Sequence, residues 1–174
     1  MTITTSKILT AMKLVFWIVF IGLLIKPGAL LLNYFISLNS PEVAQNVYLG
    51  LDLSALYAAS LWQYTSFLSF LIVVEAMKAY LAFLAAQILT KIDIEKPFNR
   101  HVSNCIIKIS HNALGIGFVC LIAQGQTNYL AKSGIALAYD WHAGEFLLLA
   151  AIIFIISQIF KRGIELQTEN ELTI

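Results

Sequence analysis

An all-α integral membrane protein, built as an antiparallel bundle of four transmembrane helices, is the fold this sequence predicts, and three observations predict it. Of the 174 residues, 59% are hydrophobic and only 12% charged, with a mean hydropathy of +0.80. A soluble domain keeps about half of its residues polar. Four apolar stretches, about 13–36, 56–89, 102–130 and 145–160, reach or approach the about 20 residues a helix needs to cross a hydrocarbon layer of about 30 Å. Basic residues then alternate by side. Lys7 and Lys13 precede the first stretch, Lys91, Lys96 and Arg100 lie between the second and third, and Lys161 and Arg162 follow the fourth. The loop after the first stretch has no Lys or Arg, and the loop after the third has Lys132 alone. By the positive-inside rule both termini and the central loop are cytoplasmic. Residues 1–174 read as one membrane domain with a short cytoplasmic tail, 163–174, and the expected location is a bacterial inner membrane.

Each element has its own signals. In the first stretch, Lys26-Pro27-Gly28 removes a backbone donor and permits close approach, so a kink or break is expected there. The apolar run resumes at Ala29, which favours a retained helix over a cleaved signal peptide. Ser40, Pro41 and Glu42 read as N-cap, first-turn proline and first-turn acid, and Gly50 as a stop, predicting a short helix over 41–49. Asp52 or Ser54 can cap the second span, whose excess length implies tilt or projection beyond the lipid. Pro97 ends the inner loop and Asn99 can cap the third span. Cys105 and Cys120 on that span are separated by about 22 Å at 1.5 Å per residue, too far to bridge, and read as buried free thiols. Tyr34, Tyr57, Trp62, Tyr129, Tyr139 and Trp141 cluster at the outer interface, where amphipathic rings prefer to sit. The fourth span closes the up-and-down arrangement that short connections favour.

Five ionisable residues break the apolar rule: Lys26, Glu75, Lys78, Lys108 and His111. A charge in hydrocarbon costs at least about 2.5–3.5 kcal/mol, so each needs a partner, a wet cavity or a route to the interface. Counting inward from the basic anchors places Lys26, Glu75 and Lys78 about 20–24 Å deep, with Lys108 and His111 one or two turns nearer the cytoplasm. A Lys26–Glu75 ion pair between the first two spans follows, and Glu75 and Lys78 are i, i+3 neighbours. Asn104, Lys108, His111 and Gly115 share a stripe expected to face inward. An internal ion-pair network, an anion-binding layer and a proton relay through His111 and Glu75 can all be built from these residues. Three lysines against one carboxylate leave excess positive charge, which suits an anionic ligand better than a cation.

Enzyme signatures are absent: there is no G-x-S-x-G, no H-E-x-x-H and no phosphate-cradling glycine loop, so no catalytic residue and no cofactor is expected. Asp140 and His142 supply two ligands, which do not make a metal site. The inner loop, Lys91-Ile92-Asp93-Ile94-Glu95-Lys96-Pro97-Phe98-Asn99, and the ending, Gly163-Ile164-Glu165-Leu166-Gln167-Thr168-Glu169-Asn170-Glu171-Leu172-Thr173-Ile174, resemble two signature segments of a bacterial membrane family, domain of unknown function 2975. The resemblance implies a four-helix inner-membrane protein without an assigned activity. It also implies, by gene association alone, partnership with a small helix-turn-helix regulator.

The tail points the same way on physical grounds. Glu165, Glu169 and Glu171 follow Arg162 with no further base, while Leu166, Leu172 and Ile174 keep apolar handles. Such a segment can prolong the last helix and meet a basic partner surface or a second copy of the chain. A solvated acidic tail is the alternative. The reading is therefore a non-enzymatic regulatory or scaffold protein that docks a cytoplasmic partner through Pro97, Phe98, Asn99, Glu165, Glu169, Asn170, Glu171, Leu172 and Ile174, without direct contact to nucleic acid. A small transporter or ligand-binding protein using the embedded charges is the rival.

Overall fold

The computed structural model describes residues 3–92 and 98–171, with side chains for 7–92 and 98–169. Among these residues the chain is entirely helical: α1 (Ile3–Ser37), a 3-10 turn (Pro41–Asn46), α2 (Ser54–Ala59), α3 (Leu61–Lys91), α4 (Arg100–Lys132) and α5 (Ala143–Glu171). α1, α3, α4 and α5 are each long and apolar enough to cross a membrane. They run alternately up and down, with both described ends of the chain on one side, called here the terminal side. The opposite side carries the loops after α1 and α4.

Packing follows chain order. α1 lies on α3, α3 on α4 and α4 on α5, and among the described residues no backbone contact joins α1 to α4 or α5. α1 and α5, the two ends of that order, therefore do not close on each other at backbone distance. Aromatic edges hold α1 to α3, with Trp17 and Phe20 at 6.0 and 5.4 Å from Phe83. Glycine lets α4 and α5 approach closely: a Cβ added to Gly117 would stand 2.6 Å from Leu147 Cδ2 and 3.3 Å from the Leu147 backbone nitrogen. Polar groups tie the helices where water cannot, with Asn112 donating to the Met77 carbonyl at 2.9 Å and Ser110 to the Ala150 carbonyl at 3.0 Å.

Several expectations need correction. α1 runs unbroken through Lys26, Pro27 and Gly28. A single missing donor costs one hydrogen bond, and the adjacent turns hold the helix together. Gly28 gives no close approach either, since nothing lies within 4 Å of where its Cβ would be. The stretch 56–89 is not one helix. Ser60 is extended (φ −166°, ψ 119°) and separates α2 from α3, its hydroxyl accepting from the Gln63 amide. Part of the stretch therefore forms a separate short helix, and α3 itself keeps 31 residues, more than a straight crossing needs. The predicted helix over 41–49 is the 3-10 turn 41–46; Ser40 makes no side-chain cap, and Leu49 and Gly50 take positive φ to reverse the chain. Asp52 accepts from the Ser54 amide at 2.8 Å just ahead of α2, whose N-cap residue is Leu53, and the long span α3 is capped by Ser60 rather than by Asp52 or Ser54. Hydrogen bonds from Ser54 hold the Asp52 carboxyl below the usual range. Asn99 caps α4 as expected, accepting from Val102 N at 2.9 Å.

The interfacial aromatics divide. Trp62 and Tyr129 are exposed, but Trp141 is buried. Its indole donates to Thr127 Oγ1 at 2.9 Å, and its ring meets Tyr139 and Phe67 at 4.7 and 5.3 Å. The loop between α4 and α5 therefore folds into the bundle instead of lying on the headgroups. Cys105 and Cys120 are buried free thiols.

Replacing Gly117 with Ala is expected to lower stability by about 1–3 kcal/mol, because Leu147 and its backbone must retreat. The same change at Gly28, which meets nothing, should be neutral or slightly stabilising. Thermal unfolding of both variants in detergent reads the contrast.

Candidate functional site

The bundle buries a three-residue ionic cluster. Lys26 Nζ on α1 lies 2.7 Å from Glu75 Oε1 on α3, and Lys78 Nζ, one turn further along α3, lies 3.2 Å from the same oxygen. Helical spacing puts Glu75 and Lys78 on one face, and the packing of α1 on α3 delivers Lys26 to it. Exposure is unequal: the Glu75 side chain is 6% exposed, against 32% for Lys26 and 28% for Lys78. The carboxylate is therefore the hidden member, and both lysine side chains stay about a third open. Lys78 Nζ also stands 5.6 Å over the Phe146 ring of α5, bringing the cluster to that helix.

Tyr139 completes the surroundings from above. Burial pushes its phenol up, and the nearby Lys26 ammonium opposes that shift. The infolded loop thus roofs the cluster on the loop side, through the Tyr139 and Trp141 rings packed on Phe67. Two cations on one carboxylate give the cluster a formal charge of +1. Opposite charges about 4 Å apart attract by about 4 kcal/mol at the effective dielectric found near protein surfaces. One carboxylate can offset one of the lysines, and the second remains a positive charge at about the middle of the span.

The other two embedded residues do not join. Asn104, Lys108 and His111 are exposed on α4, so three members of the stripe expected to face inward face outward, and only Gly115 is half-buried, against Met77. The packed face of α4 is instead the row of small residues Ser103, Ser110, Ala113, Gly117 and Cys120, all buried. That row was visible in the sequence as the kind of small-residue stripe that lets membrane helices approach. His111 lines a shallow apolar groove with Ser110, Leu114, Leu147, Ala150, Ala151 and Phe154. A relay from His111 to Glu75 has no contact to run through in this arrangement. Tyr139, Trp141 and Asn112 were the residues missed. Residue type alone puts the two rings at the interface, and Asn112 lies one position from His111 on the polar stripe.

At the terminal side the two signature segments meet. Phe98 packs on Phe160 with ring centroids 5.3 Å apart, and a Cβ on Gly163 would lie 2.5 Å from Phe98 Cδ1. Asn99 closes the same turn by donating to the Lys91 carbonyl at 3.4 Å as well as capping α4. Phe98 and Asn99 therefore serve the fold. Beside them, Arg100, Ser103, Asn104, Ile107, Lys161, Ile164 and Glu165 line a groove of about 490 Å³ between α4 and α5. Glu165 pairs with Arg162 at 2.9 Å, and Glu169 is exposed on the same helix. Asn170 and Glu171 lie in the last turn of α5, while Pro97, Leu172 and Ile174 fall outside the described residues.

Replacing Glu75 with Gln leaves two ammonium groups together in hydrocarbon, and a loss of about 3 kcal/mol in stability is expected. Replacing Lys78 with Met spares the shorter Lys26–Glu75 pair, so about 1 kcal/mol or less is expected. Equal losses in thermal unfolding would remove Glu75 from the centre of the cluster.

No curated protein and no solved structure matches the chain. A family model described as "Protein of unknown function (DUF2975)" matches residues 39–174. The match begins after α1, so Glu75, Lys78 and both terminal-side segments lie inside it and Lys26 lies before it. By that match, which covers three of the four spans and both signature segments, the chain belongs to the DUF2975 family.

Proposed function

We propose that this multi-pass membrane protein is a non-enzymatic regulatory or scaffold protein whose terminal side faces the cytoplasm of a bacterium and docks a protein there. The observation that carries the reading is the continuation of α5. Instead of ending at the Lys161–Arg162 anchor, the helix runs on to Glu171. Beyond the anchor it presents exposed Glu165, Leu166 and Glu169. A helix that leaves the lipid with an apolar side chain exposed among acids offers a partner both a handle and a charge pattern.

The groove beside it supports the same reading. Arg100 on the α4 wall faces a wall of α5 that carries both Lys161 and Glu165, so a partner helix meets charges of both signs around Ile107 and Ile164. Gly163 and Phe98 fix the angle at which the helix leaves the bundle, because their contact pins α5 to the turn before α4. Among partner chemistries, a basic cytoplasmic regulator fits the acidic row best, with a second copy of the chain as the competing occupant.

Deleting residues 164–174 keeps Gly163 and the four spans. Under this proposal the truncated chain still inserts and runs as a monodisperse species, while a cytoplasmic protein that co-purifies with the full chain is lost. Unchanged co-purification would overturn the docking role of the α5 extension. A shift of the full chain alone from dimer to monomer on truncation would assign the surface to self-association instead.

A further inference from the structure

We propose that the Lys26–Glu75–Lys78 cluster binds an oxyanion that enters between α1 and α5 from the lipid side as the acidic group of an amphiphile. Three observations converge on it. Glu75 accepts from both lysines through the single oxygen Oε1, at 2.7 and 3.2 Å, so the cluster keeps one positive charge without a partner of its own. Each ammonium carries three donors, of which the carboxylate takes one. The exposure is confined to the cations: Lys26 and Lys78 are each about a third open while Glu75 is covered. The geometry thus leaves the lysine side chains partly open and hides the carboxylate, the polarity an anion requires.

The surroundings select the source. α1 and α5 share no backbone contact and are the two least buried spans, so the lysines can be approached laterally between them. On the loop side Tyr139 and Trp141 fold over Phe67. Phe146 of α5 stands against Lys78 at 5.6 Å and gives the site an apolar wall. A singly charged carboxylate or phosphate on an acyl chain can neutralise the cluster while its tail stays in hydrocarbon. A small water-soluble anion shares the same charge chemistry but gains nothing from the lateral opening. The site is separate from the docking surface on the terminal side.

Trp141 is the reporter, since its ring lies 4.7 Å from Tyr139, which faces Lys26. In a W17F/W62F background in phosphatidylcholine nanodiscs, oleate, oleyl alcohol and acetate are titrated against Trp141 fluorescence. The expected result is a saturable change with oleate and none with oleyl alcohol. K78M keeps the shorter ion pair and removes the excess charge, and should weaken oleate binding about tenfold or more. E75Q removes the carboxylate, and should bind oleate more tightly and regain thermal stability when oleate is added. If E75Q cannot be purified folded, K78M alone decides the point. A saturable response to acetate at concentrations similar to oleate would support the anion site and assign it to a water-soluble ligand. Equal binding of oleyl alcohol and oleate, or an unchanged oleate affinity in K78M, would overturn the proposal.

Discussion

The cost of a charge in hydrocarbon governs this structure, and Glu75 is where that cost is met. A lone lysine at the middle of a span is unfavourable by at least about 2.5–3.5 kcal/mol. Here two lysines from different helices converge on one carboxylate oxygen. Because α1 packs on α3 and on no other spanning helix, the Lys26–Glu75 contact also fixes the depth at which α1 sits. A slide of α1 by one turn, about 5.4 Å, would separate the pair and leave Lys26 without its carboxylate, while Glu75 kept only Lys78. Aromatic packing of Trp17 and Phe20 on Phe83 has no such sharp dependence on register.

Polar anchoring recurs where helices meet. Asn112, Ser110 and Thr127 each satisfy a group on a neighbouring element, namely the Met77 carbonyl, the Ala150 carbonyl and the Trp141 indole. Between spans there is little hydrophobic driving force, because lipid tails are as apolar as the side chains they would replace. Close approach at Gly117 and these few directed bonds therefore specify which faces of α4 are covered. The faces left over, including Lys108 and His111, look outward.

The terminal side follows a related logic with an aromatic ring as the anchor. Phe98 occupies the space that a Gly163 side chain would fill, and Asn99 caps α4 while bonding back to Lys91. The two segments that most resemble the family's signatures are thus in contact with each other, which gives their glycine, phenylalanine and asparagine a structural role. The acidic continuation of α5 lies beyond that contact and is free of this duty. That separation is why the docking proposal rests on the extension and the adjacent groove rather than on the turn itself.

Composition, stretch length and i, i+3 spacing determined much by themselves: the four spans, their alternation, the Asn99 cap, and a Lys26–Glu75–Lys78 cluster at one depth. These are properties of a chain in one dimension, since depth in a membrane maps nearly linearly onto residue number at about 1.5 Å per residue. Which side of a helix faces a neighbour is a different kind of quantity. It depends on how all the helices pack at once, and so the Lys108 and His111 stripe was assigned inward when the small-residue row with Gly117 took that place. The break at Ser60 and the infolding of Tyr139 and Trp141 were likewise decided by tertiary contacts, because a serine and an aromatic ring are each compatible with several local states until a packed surface selects one. The separation of α1 from α5 belongs to the same class: it is a contact the helices do not make at backbone distance, and no local sequence signal encodes that.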